Sequence, residues 1–321
     1  MGIRRRDVLR GGGAALPAVA CGCLDGGSAS ERHSVSVGSK GFVENEILGE
    51  LIVATVEATG GEPSRDRWQS TDTRGVLEPL FDGEIDAYWE YTGTLYAYQV
   101  APDLPGDVHS KIADAASKSR TELSEAVAAA LEESSVAALT PAEVDNTYRF
   151  VARREWAEEA GVRSLSELAT HINDEASLRF SSTREFTMRS DAMANVVERY
   201  GIEADATREV ETVPVDAFAE RYDPIERGDV DVCIGYATDP QPEMFDLVTL
   251  ADDLDIFPAY TPVPLVRRDT LEKIPPLESS LDALGETLES TAELRELVRR
   301  VVEDGSSPER VAADHLEAVG H

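Results

Sequence analysis

Two short runs of the sequence echo one another at a shift of 145 residues, and each leads to a tyrosine. Pro79-Leu-Phe-Asp-Gly83-Glu-Ile-Asp86 answers Pro224-Ile-Glu-Arg-Gly228-Asp-Val-Asp231, and Tyr91 and Tyr236 stand eight residues beyond the two glycines. Each run reads as a helix, a terminating glycine and a strand. Each tyrosine then falls just past the strand's carboxyl end, the edge at which open α/β sheets bind ligands. Tyrosine presents an electron-rich ring face there. Such faces attract a cation with no N–H to donate, a methylated ammonium above all, by roughly 0.5–2 kcal/mol per ring. A carboxylate on the same ligand would call for Lys or Arg with hydroxyl donors, at about 1.5–3 kcal/mol per charge-assisted bond. Lys40, in a loop after the first strand, is one of only four lysines, with Lys111, Lys118 and Lys273, so a dedicated role is expected of it.

The elements that must position these groups are legible as periodicities. Val35-Ser36-Val37 alternates as a strand, Ile47, Leu48, Leu51, Ile52 and Val56 recur at helical spacing, and Gly60-Gly61 ends that helix. Asp72 or Thr73 caps a second helix, with Val76, Leu77, Leu80 and Phe81 as its buried stripe and Gly83 as its stop, before a strand predicted at Ile85 to Tyr88. One or two helices follow over Val108 to Glu133, then a strand at Tyr148 to Val151. Ser164-x-x-Glu167 forms a capping box that opens a helix through Ile172, and Leu178 to Phe180 is another strand. Alternating strand and helix define an α/β protein, and 321 residues are enough for two lobes facing each other across a cleft.

Composition narrows the function. With 62 acidic and 30 basic side chains the formal charge is −32, which makes binding to nucleic acid or anionic headgroups unfavourable. An acid-rich, lysine-poor surface suits molar salt, where screening acts over about 3 Å, and points to a halophilic source. Catalysis finds no support. His33, His109, His171, His315 and His321 are scattered, and no Gly-x-Ser-x-Gly elbow, Walker loop or His-Glu-x-x-His helix is present. Cys233, inside an apolar strand, is the only cysteine in the body of the chain, so no internal disulfide or cysteine metal cluster is expected there, nor any cofactor. At the N-terminus, Arg4-Arg5-Arg6 precedes the small and apolar run Gly11 to Ala20, too short to span a bilayer, and then Cys21-Gly22-Cys23. That order predicts an export signal of the twin-arginine kind and a lipid anchor on Cys23, or on Cys21, followed by a polar tether.

Further motifs share an order with a known family. They are Gly38-Ser39-Lys40-x-Phe42-x-Glu44, Ile47-Leu48-Gly49-Glu50, Glu90-Tyr91-Thr92-Gly93-Thr94, Asn146-Thr147-Tyr148, Glu185-Phe186-x-x-Arg189-x-Asp191, Tyr236-Ala237-Thr238-Asp239, and Tyr260 with Pro262-Val263-Pro264. Over about residues 34 to 318 the chain resembles the glycine betaine, carnitine and choline-binding proteins of osmoprotectant ABC importers. The resemblance implies a two-lobed periplasmic-binding-protein (type 2) clamshell that closes on its ligand. It also implies a trimethylammonium cage of Tyr91, Tyr148, Tyr236 and Tyr260. Lys40, Thr94 and Arg189 would hold the ligand carboxylate, and Asn146 would offer a backbone carbonyl to the methyl groups. Arg184 is an alternative to Arg189 should the loop be shifted by a turn, while Tyr88, Tyr96, Tyr98, Tyr200 and Tyr222 are expected to be packing residues. Gly41, Val43 and Pro240 depart from the family pattern at the rim.

The lobes are expected at 34–143 with 243–321 and at 144–242, after a leader at 1–33. The partners implied are an osmolyte, a permease and its ATPase, and the membrane through the lipid, with the protein itself a monomer. Choline, or an amino acid on the same fold, is the alternative ligand, and a secreted enzyme the remote one.

Overall fold

A computed structural model of the chain describes residues 33–99, 114–174, 177–215 and 220–320; Arg4-Arg5-Arg6, Cys21 and Cys23 and the start of the helix predicted from Val108 lie outside them. The first lobe contains β1 (Ser34–Val37), α1 (Val43–Ala58), β2 (Glu62–Arg65), α2 (Arg74–Asp82), β3 (Ala87–Tyr91), α3 (Thr92–Gln99), α4 (Arg120–Ala130) and β4 (Val136–Ala138). The second contains β5 (Tyr148–Arg153), α5 (Arg154–Ala160), α6 (Leu165–Asn173), β6 (Leu178–Thr183), α7 (Arg184–Met188), α8 (Met193–Arg199), β7 (Val210–Val215), α9 (Asp223–Glu226), β8 (Val232–Tyr236), α10 (Gln241–Met244) and β9 (Leu247–Leu250). The chain returns to the first lobe for β10 (Pro262–Arg267), α11 (Arg268–Lys273), α12 (Pro275–Glu286), α13 (Thr291–Val302) and α14 (Pro308–Val319).

Both sheets follow one plan. The orders are β2-β1-β3-β10-β4 and β7-β6-β8-β5-β9, each with a parallel trio, an antiparallel strand inserted beside it and a final edge strand. The sequence echo is the visible trace of this plan. Gly83 and Gly228 both follow their helices in the left-handed region, at φ 79° and 75°, a backbone conformation strained for any residue with a side chain. Three residues on, Asp86 and Asp231 perform the same task. Asp86 donates its N–H to the Ser36 carbonyl (2.7 Å) and accepts the Ser36 N–H on its carboxylate (2.7 Å); Asp231 makes the matching pair with Arg179, at 2.7 and 3.0 Å. Each aspartate thus pins the start of its strand to the central parallel neighbour.

Three expectations shift. The strand predicted at Ile85 to Tyr88 runs from Ala87 to Tyr91, because antiparallel pairing with β10 carries its ladder as far as Tyr91↔Pro262. Tyr91 and Tyr236 are therefore the last residues of their strands rather than the first beyond them. The lobe boundary expected at 242/243 falls inside the second lobe, since β9 pairs with β5. The two crossings are residues 139–147 and 251–261. The apolar stripe of α1 packs as predicted, with Ile47, Leu48, Leu51, Ile52 and Val56 all inaccessible in a core shared with α12, α13 and α14.

Candidate functional site

All eight predicted site residues, with Phe42 and Glu185, line one cavity of about 30 Å³ between the lobes. That is room for a water or two. Neither Tyr88 nor Tyr96, Tyr200 or Tyr222 lines it, while the Tyr98 side chain is outside what is described. Tyr148 opens β5 and Tyr236 closes β8, and the antiparallel register sets them opposite each other with ring centroids 5.6 Å apart. Tyr260, in the second crossing, meets Tyr148 edge-on at 5.2 Å. Tyr91 approaches from the first lobe, with Phe42 bridging from it (6.1 Å) to Tyr236 (5.4 Å). Phe42 is thus a wall of the aromatic cluster that the sequence reading quoted only as part of a motif. Burial raises the pKa of all four phenols well above the usual tyrosine value, so the rings stay neutral and keep their electron-rich faces.

Both candidate cations are held by buried carboxylates. Lys40, 4 % exposed, donates to Glu90 Oε1 at 2.6 Å and lies 5.1 Å from the Tyr91 ring centroid. Glu90 is itself fixed by the Tyr88 hydroxyl (2.9 Å) and the Tyr91 N–H (2.8 Å). An ammonium has three donors, and the Glu90 bond takes one of those on Lys40. Arg189, at the end of α7, grips both oxygens of Asp191 and reaches Glu185 at 3.1 Å and the Thr94 hydroxyl at 3.4 Å. Asp191 in turn accepts from the Tyr260 hydroxyl at 3.1 Å. Arg184, the substitute considered for Arg189, is not part of the cavity.

Several bonds cross the cleft. Glu185 of the second lobe accepts the Thr73 hydroxyl (2.7 Å) and N–H (3.2 Å) from the first. Glu44, on α1, accepts from the Tyr91 hydroxyl at 2.7 Å and bonds Thr238 of the second lobe. Burial pushes the Glu44 carboxyl up to about 7, against the pull of those two hydrogen bonds, with Asp239 adding to the rise. Arg221 stacks 4.8 Å from the Tyr236 ring centroid and is paired with Asp239. Asn146 donates its N–H to the Tyr260 carbonyl (3.0 Å) and accepts from Thr238, which ties the two crossings together. Of the acidic partners, Asp191 is the residue with which the sequence pairs a solvated Arg189, and the pair forms but is buried; Glu90 and Glu185 stand in the sequence motifs with no role legible there.

At Gly93 the backbone runs close against the aromatic cluster. A Cβ on it would lie 2.9 Å from two Tyr260 ring carbons and 3.0 Å from the Ala259 carbonyl. Gly93→Ala is expected to displace that ring at a cost of about 1–3 kcal/mol, seen as a lower melting temperature together with weaker ligand binding. An unchanged melting curve and affinity would show that the ring has room to move.

Two like α/β lobes with a buried aromatic and charged cavity between them define a clamshell solute-binding protein. Residues 33–318 match the family model described as the substrate binding domain of ABC-type glycine betaine transport systems, and the chain belongs to that family. The family is one of transport binding components, not of enzymes. The glycine betaine-binding protein YehZ of Escherichia coli is 27% identical over 288 residues, covering 89% of this chain and 90% of its own. Its apo structure superposes with a TM-score of 0.58 at 25% identity, over 89% of this chain and 99% of its own. A structure titled glycine betaine/carnitine/choline ABC transporter shares the fold, with a TM-score of 0.65 at 20% identity over 90% and 98% of the two chains. The ergothioneine transport permease/binding protein EgtU of Helicobacter pylori is 25% identical over 293 residues, 91% of this chain but 49% of that protein.

Proposed function

We propose that this protein captures a quaternary-ammonium osmolyte, glycine betaine or a close relative, and delivers it to an ABC permease. The convergence of Tyr91, Tyr148, Tyr236 and Tyr260 from both lobes on one cavity carries this reading. The rings would enclose the trimethylammonium group, while Lys40, Thr94 and Arg189 would take the carboxylate. Because the cavity holds only about 30 Å³, the ligand enters as the lobes part and is enclosed as they close.

Calorimetric titration with glycine betaine, choline, glycine and ergothioneine tests the reading. Glycine betaine is expected to bind with micromolar affinity, about 8 kcal/mol, and glycine to give no heat. Glycine binding as tightly as betaine would reject the cage. Choline outranking betaine would remove the carboxylate role of Lys40 and Arg189, and ergothioneine outranking both would move the assignment to a bulkier betaine. The N-terminus is read in the same proposal as a twin-arginine export signal with a lipid on Cys23 or Cys21, on the outer side of the membrane. Mass spectrometry of the membrane fraction would find the acylated cysteine, and an unprocessed N-terminus would overturn this. Among the described residues no helix is long and apolar enough to cross a membrane.

A further inference from the structure

We infer that closing the lobes takes up one proton, which is held on Glu44 and ties ligand capture to pH. The inference rests on reading the cleft as the ligand site, and the geometry behind it is a count of donors and acceptors. Glu44, 2 % exposed, touches Tyr91 of the first lobe through Oε1 and Thr238 of the second through Oε2. Tyr91 has its hydroxyl proton directed at Glu44 Oε1, and the Tyr91 hydroxyl oxygen in turn accepts from Asn45 Nδ2 at 3.4 Å. The Thr238 hydroxyl touches two oxygens at once, Glu44 Oε2 and Asn146 Oδ1, the latter at 2.8 Å. The Asn146 atom is an acceptor, because the Thr238 backbone N–H donates to it at 3.3 Å. A hydroxyl has one proton. If Glu44 were ionised, two acceptors would face that single donor, and one buried contact would be oxygen against oxygen. With a proton on Glu44 Oε2 the chain runs without conflict, from Glu44 to Thr238 to Asn146.

The surrounding charges leave that arrangement intact. From the second lobe come Asp239 and Arg221, already paired with each other, and from the first the Lys40–Glu90 pair beside the Tyr91 ring. Parting the lobes separates Glu44 from Thr238 and returns it to water, where a glutamate ionises near its usual value of about 4. The buried carboxyl titrates near 7. The closed form therefore binds more protons than the open one between those values. Its advantage is fully present at the acid end and is lost as pH rises through about 7. Glu44 acts through Thr238 and Tyr91, as a positioning residue.

Titration calorimetry with glycine betaine in buffers of different ionisation heat reads the proton directly. Near pH 6 binding is expected to take up about one proton, near pH 8 almost none, and affinity is expected to fall about tenfold between the two. Glu44→Gln supplies a permanent donor to Thr238 and an acceptor to Tyr91, so its profile should be flat with no uptake. A wild-type protein with neither uptake nor pH dependence overturns the inference, as does a Glu44→Gln profile that keeps the wild-type slope. Should no quaternary ammonium bind, the ligand reading has failed and the radius of gyration of the ligand-free protein decides instead. It should shrink from about pH 8 to about pH 6 in the wild type and not in Glu44→Gln; no shrinkage, or equal shrinkage in both, overturns the proton latch.

Discussion

Arg189→Ala is expected to weaken glycine betaine binding by about 100-fold or more, the range seen when one partner of a buried, hydrogen-bonded charge pair is truncated. The guanidinium sits at the centre of the cleft's polar network. It holds Asp191 through two bonds, and through Asp191 the Tyr260 hydroxyl; it also reaches Glu185, which bonds Thr73 across the cleft, and Thr94 directly. Truncation leaves the buried Asp191 and the part-buried Glu185 without their cation, at about 3–5 kcal/mol for the buried one, and loosens both Tyr260 and the interlobe contact. Titration with choline separates two contributions. Choline has no carboxylate, so its loss measures the damage to closure alone, and the additional loss for betaine measures the contact with the ligand. Equal losses would show that Arg189 organises the lobes without touching the ligand. Wild-type affinity for betaine would remove it from the site.

Tyr148→Ala should be the most damaging change among the rings. Tyr148 is in contact with four others, with Phe186 at 4.9 Å, Tyr260 at 5.2 Å, Phe257 at 5.5 Å and Tyr236 at 5.6 Å. Deleting a buried aromatic side chain of this kind costs about 3–5 kcal/mol of stability, and the cage loses the wall on which Tyr236 and Tyr260 rest. Chemical denaturation should show the stability loss, and titration a fall in affinity larger than one ring's own cation–π share of roughly 0.5–2 kcal/mol. Tyr148→Phe keeps the ring and should bind within about tenfold of the wild type, because the ring face is what a cation meets. A Phe variant as impaired as the Ala variant would place the function of Tyr148 in its hydroxyl.

Much of the fold could be read before any coordinates because its signals are local. The α1 stripe, the Gly60 and Gly83 stops and the Ser164 cap depend on neighbours within a turn or two, and each holds its expected place, although the expected capping box forms only in half, because Glu167 accepts the Arg163 N–H instead of that of Ser164. The echo between Gly83 and Gly228 was equally local, and it carried the two-lobed plan with it. What slipped depended on distant partners. Tyr91 belongs to its strand because Pro262 lies opposite, and β9 belongs to the second sheet because β5 does; neither pairing leaves a mark in the adjacent sequence.

The same division runs through the candidate site. The sequence by itself determined which residues are candidates for the site: Tyr91 and Tyr236 through the echo, and Tyr148, Tyr260, Lys40, Thr94, Arg189 and Asn146 through the resemblance, and all of them line the one cavity. It also determined the abundance of carboxylates, and by that abundance hid which of 62 matter. Only the tertiary structure decided that Glu90 holds Lys40, that the Arg189–Asp191 pair is buried and joined by Glu185, and that Glu44 reaches across to Thr238. The reason is physical. A side chain's type is a property of one position, whereas its charge state and partner depend on burial and on groups far away in the chain, 194 positions in the case of Glu44 and Thr238, that meet it only when both lobes are folded and closed.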